Sequence, residues 1–319
     1  METTNQIKIK TEPGKQQHNS TGQKITPFLW FDGKAEEAAK FYTSVFPKNS
    51  KIITMKPWGE GSPFPKEQIM NATFELDGQR FYAFDAGPQF KFNPSISFFV
   101  VCETENETDQ VWQKLAEGGS VMMALDKYDW SDKYGWLQDR YGISWQISYG
   151  KFSDVGQKFT PSLLFTGEQH GKAEEAIKLY TSVFDNSSIT GILKYTTGEN
   201  EPEGTVKHAQ FSLGKQVFMV MDSSGPHDFK FNEAISFYVS CNTQKEIDYF
   251  WNKLTAGGGQ ESMCGWLKDK FGISWQIVPP VLGELLADKD PKKAGSVMQA
   301  MMKMKKIIIA DLEKAYEQG

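Results

Sequence analysis

Read by its apolar and polar positions, the chain alternates between short runs that fit strands and stripes at helical spacing. Ile25–Phe31, ITPFLWF, is an apolar strand broken by Asp32-Gly33, after which Ala35, Ala38, Ala39, Tyr42 and Phe46 fall on one helical stripe. Three further strands follow, SKIITMKPW, MNATFELDG and QRFYAFD. Asp77-Gly78, between the last two, is the pair that suits a type I′ hairpin, in which both central residues take positive φ. The pattern then restarts. SISFFVVCE is a nearly continuous apolar strand, and TDQVWQKLAEGG is a helix with Val111, Trp112 and Leu115 inward and Gly118-Gly119 as its stop. The segment VMMALDKYDWSDKY leads into GWLQDRYGISWQI at 135–147, two strands around a turn closed by Gly142. This stretch is therefore two βαβββ-like modules in succession.

The whole series occurs twice. GWLKDKFGISWQI at 265–277 matches the first hairpin at 10 of 13 positions, and Pro27, Ala35-Glu-Glu and Phe90-Lys-Phe-Asn recur at offsets of 134, 138 and 139. The offsets place four extra residues at Glu168-Gln-His-Gly171 in the second copy and nine fewer before Gly265. A repeat this long is a domain duplication, since each copy holds enough elements for its own core. The expected organisation is a polar, disordered tail over 1–24, one domain over 25–150, a second over 151–279 and a helical extension over 280–319, the two domains forming an intramolecular pseudo-dimer. In the extension Asp290 caps a helix with Pro291 in its first turn, and Val297, Met301, Met304 and Ile308 recur at helical spacing, as expected of a helix packed on the second domain or the junction.

Composition narrows the function classes. The net charge is -5, which lacks the basic field that phosphate binding needs, so no nucleic-acid partner is expected. No apolar run approaches the ~18 residues that cross a bilayer, and the first residues hold no apolar signal core. Three cysteines cannot all pair, and Cys102 and Cys241 fall at equivalent places in the repeats, which suits packed, reduced thiols in a cytoplasmic protein.

The motifs I-T-P-F-L-W-F, A-E-E-A-x-x-F/L-Y, F-K-F-N-x-x-I-S-F and G-W-L-x-D-x-x-G-I-S-W-Q-I resemble those of the PhnB-like branch of the vicinal oxygen chelate superfamily, which includes glyoxalase I and the bleomycin-resistance proteins. The resemblance runs from Ile25 to Pro279, twice. It implies an α+β fold in which paired βαβββ modules form an open β-sheet cup, in two tandem domains. It also implies a divalent ion held by His and Glu from the first strand of each module and from the final strand. Here the first-strand positions hold Pro27 and Pro161, the next strands offer Ile96 or Phe98 and Ile235 or Phe237, and the final strands hold Gln146 and Gln276. Residues 25–150 contain no histidine, so no metal ligand is assigned, the cofactor is unknown, and domain 2 alone has room for a divalent metal. Many relatives carry the label 3-demethylubiquinone 3-methyltransferase-like. However, no G-x-G-x-x-G follows a strand, and Gly257-Gly258-Gly259 ends a helix instead of opening one.

Two readings of function follow. As a binding protein, the cups take a small organic molecule, with Phe98, Phe237, Trp136 and Trp266 as aromatic walls and Gln146 and Gln276 orienting the ligand. As a lyase, isomerase or transferase, the chain acts at the second domain, with His227 or His208 as the base. The competing structural roles are a turn cap for His227, a solvated strand end for His208, and core packing for Trp136 and Trp266. Trp145 and Trp275 are expected in the core, Asp139 and Asp269 in the hairpin turns, and Cys264 is a candidate reactive thiol.

Overall fold

The computed structural model describes residues 22–59 and 64–319; of the expected tail, residues 1–21 lie outside the described residues. The first repeat comprises β1 (Ile25–Phe31), α1 (Ala35–Val45), β2 (Lys51–Pro57), β3 (Ile69–Leu76) and β4 (Gln79–Asp85), then β5 (Ile96–Cys102), α2 (Glu105–Ala116), β6 (Ser120–Tyr128), β7 (Ser131–Gln138) and β8 (Ser144–Tyr149). A short helix α3 (Phe152–Val155) joins it to the second. That repeat comprises β9 (Phe159–Phe165), α4 (Ala173–Val183), β10 (Ser188–Lys194), β11 (Val206–Leu213) and β12 (Gln216–Asp222), then β13 (Ile235–Ser240), α5 (Gln244–Thr255), β14 (Gln260–Glu261), β15 (Trp266–Lys268) and β16 (Ser274–Val278). The extension forms α6 (Pro280–Leu285), α7 (Pro291–Met302) and α8 (Ile309–Gln318).

Local chemistry accounts for the element ends. Asp77 and Gly78 take φ of 46° and 81°, as the hairpin between β3 and β4 requires. Thr104 accepts a bond from Glu107 N while Glu107 accepts one from Glu103 N, and Thr243 with Glu246 repeats this box at α5. The N-termini of α1 and α4 are held by carboxylates: Asp85 accepts from Lys34 N and Ala35 N, and Asp222 from Gly171 N and Ala173 N.

The strands form two open, mixed, eight-stranded sheets, and each draws one module from each repeat. Sheet I runs β14-β15-β16-β13-β1-β4-β3-β2, and sheet II runs β10-β11-β12-β9-β5-β8-β7-β6. The seam of sheet I is β1 antiparallel to β13, with Phe28 opposite Ser236; that of sheet II is β9 antiparallel to β5, with Ser162 opposite Ser97. A repeat and a cup are thus different units. The core of the first repeat lies between its own two modules, where Tyr42, Phe81, Phe98 and Trp145 meet; Tyr180, Phe218, Phe237 and Trp275 do the same in the second. Each concave face is built across the repeats. The expectation of one cup per domain is corrected accordingly.

Asp139 and Asp269 anchor these cores. Each is buried and accepts four hydrogen bonds: Asp139 from Tyr141 N, Ile143 N, Tyr42 Oη and Trp145 Nε1, and Asp269 from Phe271 N, Ile273 N, Tyr180 Oη and Trp275 Nε1. Burial raises both carboxyls, and the four donors oppose it.

The extension differs from one continuous helical stripe. α7 stops at Met302, and the segment beyond it lies along β15, where Met304 and Lys305 carbonyls accept from Cys264 N and Gly265 N. The cause is the nine-residue deletion: β6 has 9 residues and its counterpart β14 has 2, which leaves an edge for the extension to complete. Val297, Ile307 and Leu312 are fully buried there.

Candidate functional site

Alternation along the strands decides which side chains reach the concave faces. On β1, Ile25, Leu29 and Phe31 enter the core, so Thr26, Phe28 and Trp30 face the cup. On β4, Phe81 and Ala83 go inward, so Arg80, Tyr82 and Phe84 face the cup. Phe28 contacts Tyr82, Phe84 and Trp266 at ring-centroid distances of 6.3, 5.7 and 5.6 Å. Trp30 stands edge-on to Phe84, Phe90 and Trp266, and Tyr82 edge-on to Tyr238. Trp58 packs on Phe84 at the rim and donates its indole N–H to Asp85 O. All of these rings are half-buried, as expected of a wall and not of a core. Arg80 on this face is paired with Glu75 at 3.0 Å, and Lys268 with Glu233 at 2.7 Å.

The corresponding face of sheet II has another character. Where sheet I has Phe28, Trp30, Tyr82 and Phe84, sheet II has Ser162, Leu164, Met219 and Met221. Gln146 lies here, its Nε2 donating to Ser97 Oγ at 2.7 Å and its Oε1 accepting from Tyr134 Oη at 2.8 Å. Trp136 donates its indole N–H to Ser144 Oγ at 2.7 Å. His208, opposite Leu193 in the ladder, stands on the same sheet, so it shares a cup with Gln146 of the other repeat and not with Gln276.

The sequence-derived site residues therefore divide. Trp136 and Gln146 face the cup of sheet II; Trp266 and Gln276 face that of sheet I. Phe98 and Phe237 do not line a cup: both are fully buried on the helix side, 5.4 Å from Trp145 and Trp275 respectively. Register is the reason, because Phe98 pairs with Trp145 and Phe99 with Gln146, so the cup-facing neighbours are Phe99 and Tyr238. Pro27 and Pro161 likewise pair with Phe237 and Phe98, away from the cups. The rings that sequence reasoning missed, Phe28, Trp30, Tyr82 and Phe84, were signalled by β1 and β4 being apolar on both alternating faces.

His227 is exposed in the β12–β13 loop, its ring tilted against Phe229 at 4.9 Å with Nε2 2.8 Å from Ser223 Oγ. Ser223 Oγ also donates to Glu201 at 3.1 Å, and His170 Nε2 stands 3.6 Å from the same carboxylate. Burial pushes the thiols of Cys102 and Cys241 up to about 12 and raises Cys264 as well, which keeps all three protonated.

Desolvation lowers the imidazolium stability of His208, although the residue keeps solvent access at the open side of the cup. Its folded value lies below 6.5, so between the two values the unfolded chain binds a proton that the folded chain does not. Stability from this group is present above about 6.5 and declines as pH falls through that window. NMR titration of the His208 ring should give a midpoint below 6.5, and His208→Asn, the residue at the equivalent Asn71, should flatten this part of the pH–stability profile. A midpoint at or above 6.5 would contradict the placement.

The residues do not fit a divalent ion. Asn71 and Gln276 on sheet I and His208 and Gln146 on sheet II are neutral donors, and among the described residues no three His, Cys, Asp or Glu side chains converge. An S-adenosylmethionine cradle of the strand–loop–helix type fares no better, because Asp85 and Asp222 already occupy the N-termini of α1 and α4. A groove of about 1430 Å³ lies elsewhere, along the seam between the repeats. It is bordered by the ion pairs Lys24–Glu246 and Lys158–Glu107 and by turn residues, and none of the cup side chains reaches it.

Two open sheets, each assembled from two βαβββ modules around a concave face, define a vicinal oxygen chelate protein. Glyoxalase I from Zea mays shares the fold at a TM-score of 0.52 and 12% identity, over 79% of this chain and 92% of that one. The chain belongs to the family described as 3-demethylubiquinone-9 3-methyltransferase, which it matches twice, over residues 23–148 and 157–278. A putative 3-demethylubiquinone-9 3-methyltransferase, PhnB protein, from Bacillus cereus is 46% identical, covering 40% of this chain and 100% of that one, with a TM-score of 0.39. Protein YjdN of Escherichia coli (strain K12) is 24% identical over 142 residues, 40% of this chain and 95% of that protein. Among the described residues, no helix is long and apolar enough to cross a membrane.

Proposed function

We propose that the chain binds a small planar organic molecule on the concave face of sheet I. The observation that carries this reading is the convergence of Phe28, Trp30, Tyr82, Phe84, Tyr238 and Trp266 from both repeats onto one half-buried surface. Such rings offer faces and edges to a planar ligand, each well-placed contact contributing roughly 0.5–1.5 kcal/mol beyond area burial. Sheet II has serine, leucine and methionines at the same places, and its rings Tyr128, Trp130, Tyr134 and Trp136 lie at the β6–β7 edge instead. Naphthalene titrated against intrinsic tryptophan emission is expected to saturate, and Trp30→Ala to weaken binding about tenfold. Leu164→Ala, its counterpart on sheet II, should leave binding unchanged. Equal effects of the two substitutions would reject sheet I as the site.

A second reading, a small-molecule enzyme acting on sheet II, is favoured by His208 on that concave face, held neutral and so able to accept a proton. The Ser223–Glu201–His227 cluster after β12 adds further acid–base groups. If this reading holds, His208→Asn abolishes turnover of any substrate found while naphthalene binding at sheet I persists.

A further inference from the structure

The two cups inherit the same glutamine, serine and tryptophan by descent, yet that set is satisfied on one sheet only; among the described residues, the face of sheet II has its own orphan elsewhere, the buried Thr160 Oγ1. On sheet II, Gln146 is bonded at both ends of its amide, and Ser144 Oγ receives the indole N–H of Trp136. On sheet I the position of Tyr134 is taken by Cys264, and Gln276 keeps a single bond, Nε2 to Ser236 Oγ at 3.0 Å. Among the described residues, no group bonds the other end of that amide. Ser274, the counterpart of Ser144, is fully buried, and among the described residues its Oγ has no partner. The indole N–H that would reach it belongs to Trp266, which leans instead on Phe28 and Trp30. A buried hydroxyl without a partner is destabilising, and at this serine the other cup has removed the penalty with its tryptophan.

We infer that the ligand of this cup is a planar ring carrying a lactam or carboxamide edge, which pairs with the amide of Gln276 while Trp266 turns its N–H onto Ser274 Oγ. The inference rests on the planar-ligand reading and names its polar chemistry. An amide carries both donor and acceptor, so a lactam edge matches Gln276 whichever way its oxygen and nitrogen are assigned. The position awaiting Trp266 is the one its twin already occupies, 2.7 Å from the equivalent serine. Vacating the contact with Phe28 and Trp30 opens the room between those rings for the ligand. On this face Arg80 is paired with Glu75 and Lys268 with Glu233, and Lys56 stands opposite Asn71 at the β2 side.

The test compares three probes on the full chain by calorimetry: 2-quinolinone, N-methyl-2-quinolinone and naphthalene. 2-Quinolinone is expected to bind about tenfold more tightly than its N-methyl derivative, since methylation removes the donor. Gln276→Leu should abolish that preference and leave naphthalene binding intact, whereas Gln146→Leu on the other sheet should change neither. Equal affinity for 2-quinolinone and its N-methyl derivative in the unmodified chain would overturn the inference and leave the planar-ligand reading standing. No binding of any of the three would overturn both. The comparison of probes needs no variant, so a folding defect in Gln276→Leu cannot shield the inference.

Discussion

Asp269→Ala lowers global stability by roughly 3–5 kcal/mol, since it orphans several buried donors at about 1–3 kcal/mol each, offset in part by relief of the carboxylate's own desolvation. The carboxylate is fully enclosed and takes two backbone N–H groups of the turn, the Tyr180 hydroxyl from α4 and the Trp275 indole from β16. Alanine leaves all four donors buried and unmet, and it disconnects the hairpin from the helix. An asparagine side chain would keep an acceptor for the turn amides, but its NH₂ would face an indole N–H that can only donate, so Asp269→Asn falls between alanine and the native residue. Tyr180→Phe removes one donor and costs about 1 kcal/mol. Chemical denaturation of the three variants checks the order. If the Asp269→Asn chain proves as stable as the native one, the carboxylate does not organise the turn. Asp139 makes the same four contacts in the first repeat, so its alanine variant should behave alike.

This anchor is also where the sequence was most legible. GWLxDxxGISWQI carries its structure locally: the Asp is placed to accept from the residues that follow, Gly142 and Gly272 take φ of 89° and 88°, and Trp145 and Trp275 alternate against Gln146 and Gln276. The hairpin at Asp77-Gly78 and the helix stripes were readable for the same reason. Partnership between modules was not. In a duplicated chain β1 presents the same alternation whether it pairs with β5 of its own repeat or β13 of the other, and nothing local separates the two. The error over Phe98 and Phe237 has a related origin. Ile96–Cys102 is almost continuously apolar, so it lacks the period that reveals a face, and a one-residue error in parity exchanges wall for core. The candidate site was legible in its glutamines and in Trp266. It was illegible in Phe28, Trp30, Tyr82 and Phe84 because rings on both faces of a strand look like core until the partner strands are known.

A chain ending at Asp288 is expected to lose both stability and the planar-ligand affinity of sheet I. Val297, Ile307 and Leu312 are fully buried in the removed segment, and burial of such side chains contributes about 1.5–3 kcal/mol each. The backbone bonds from Cys264 and Gly265 to Met304 and Lys305 are lost with them. The damage is directional. β15 is three residues long and bears Trp266, and its outer neighbour β14 has only two residues, so the extension supplies much of what holds this edge. On sheet II the same edge is braced by the nine residues of β6, which the truncation leaves untouched. Thermal unfolding should therefore shift downward, naphthalene binding should weaken by about tenfold or more as Trp266 loses its fixed strand, and the His208 titration on the other sheet should stay where it is. If the shortened chain binds naphthalene as the full one does, the extension only covers apolar surface; if the His208 midpoint moves too, the two cups share one fate through the seams that join the repeats.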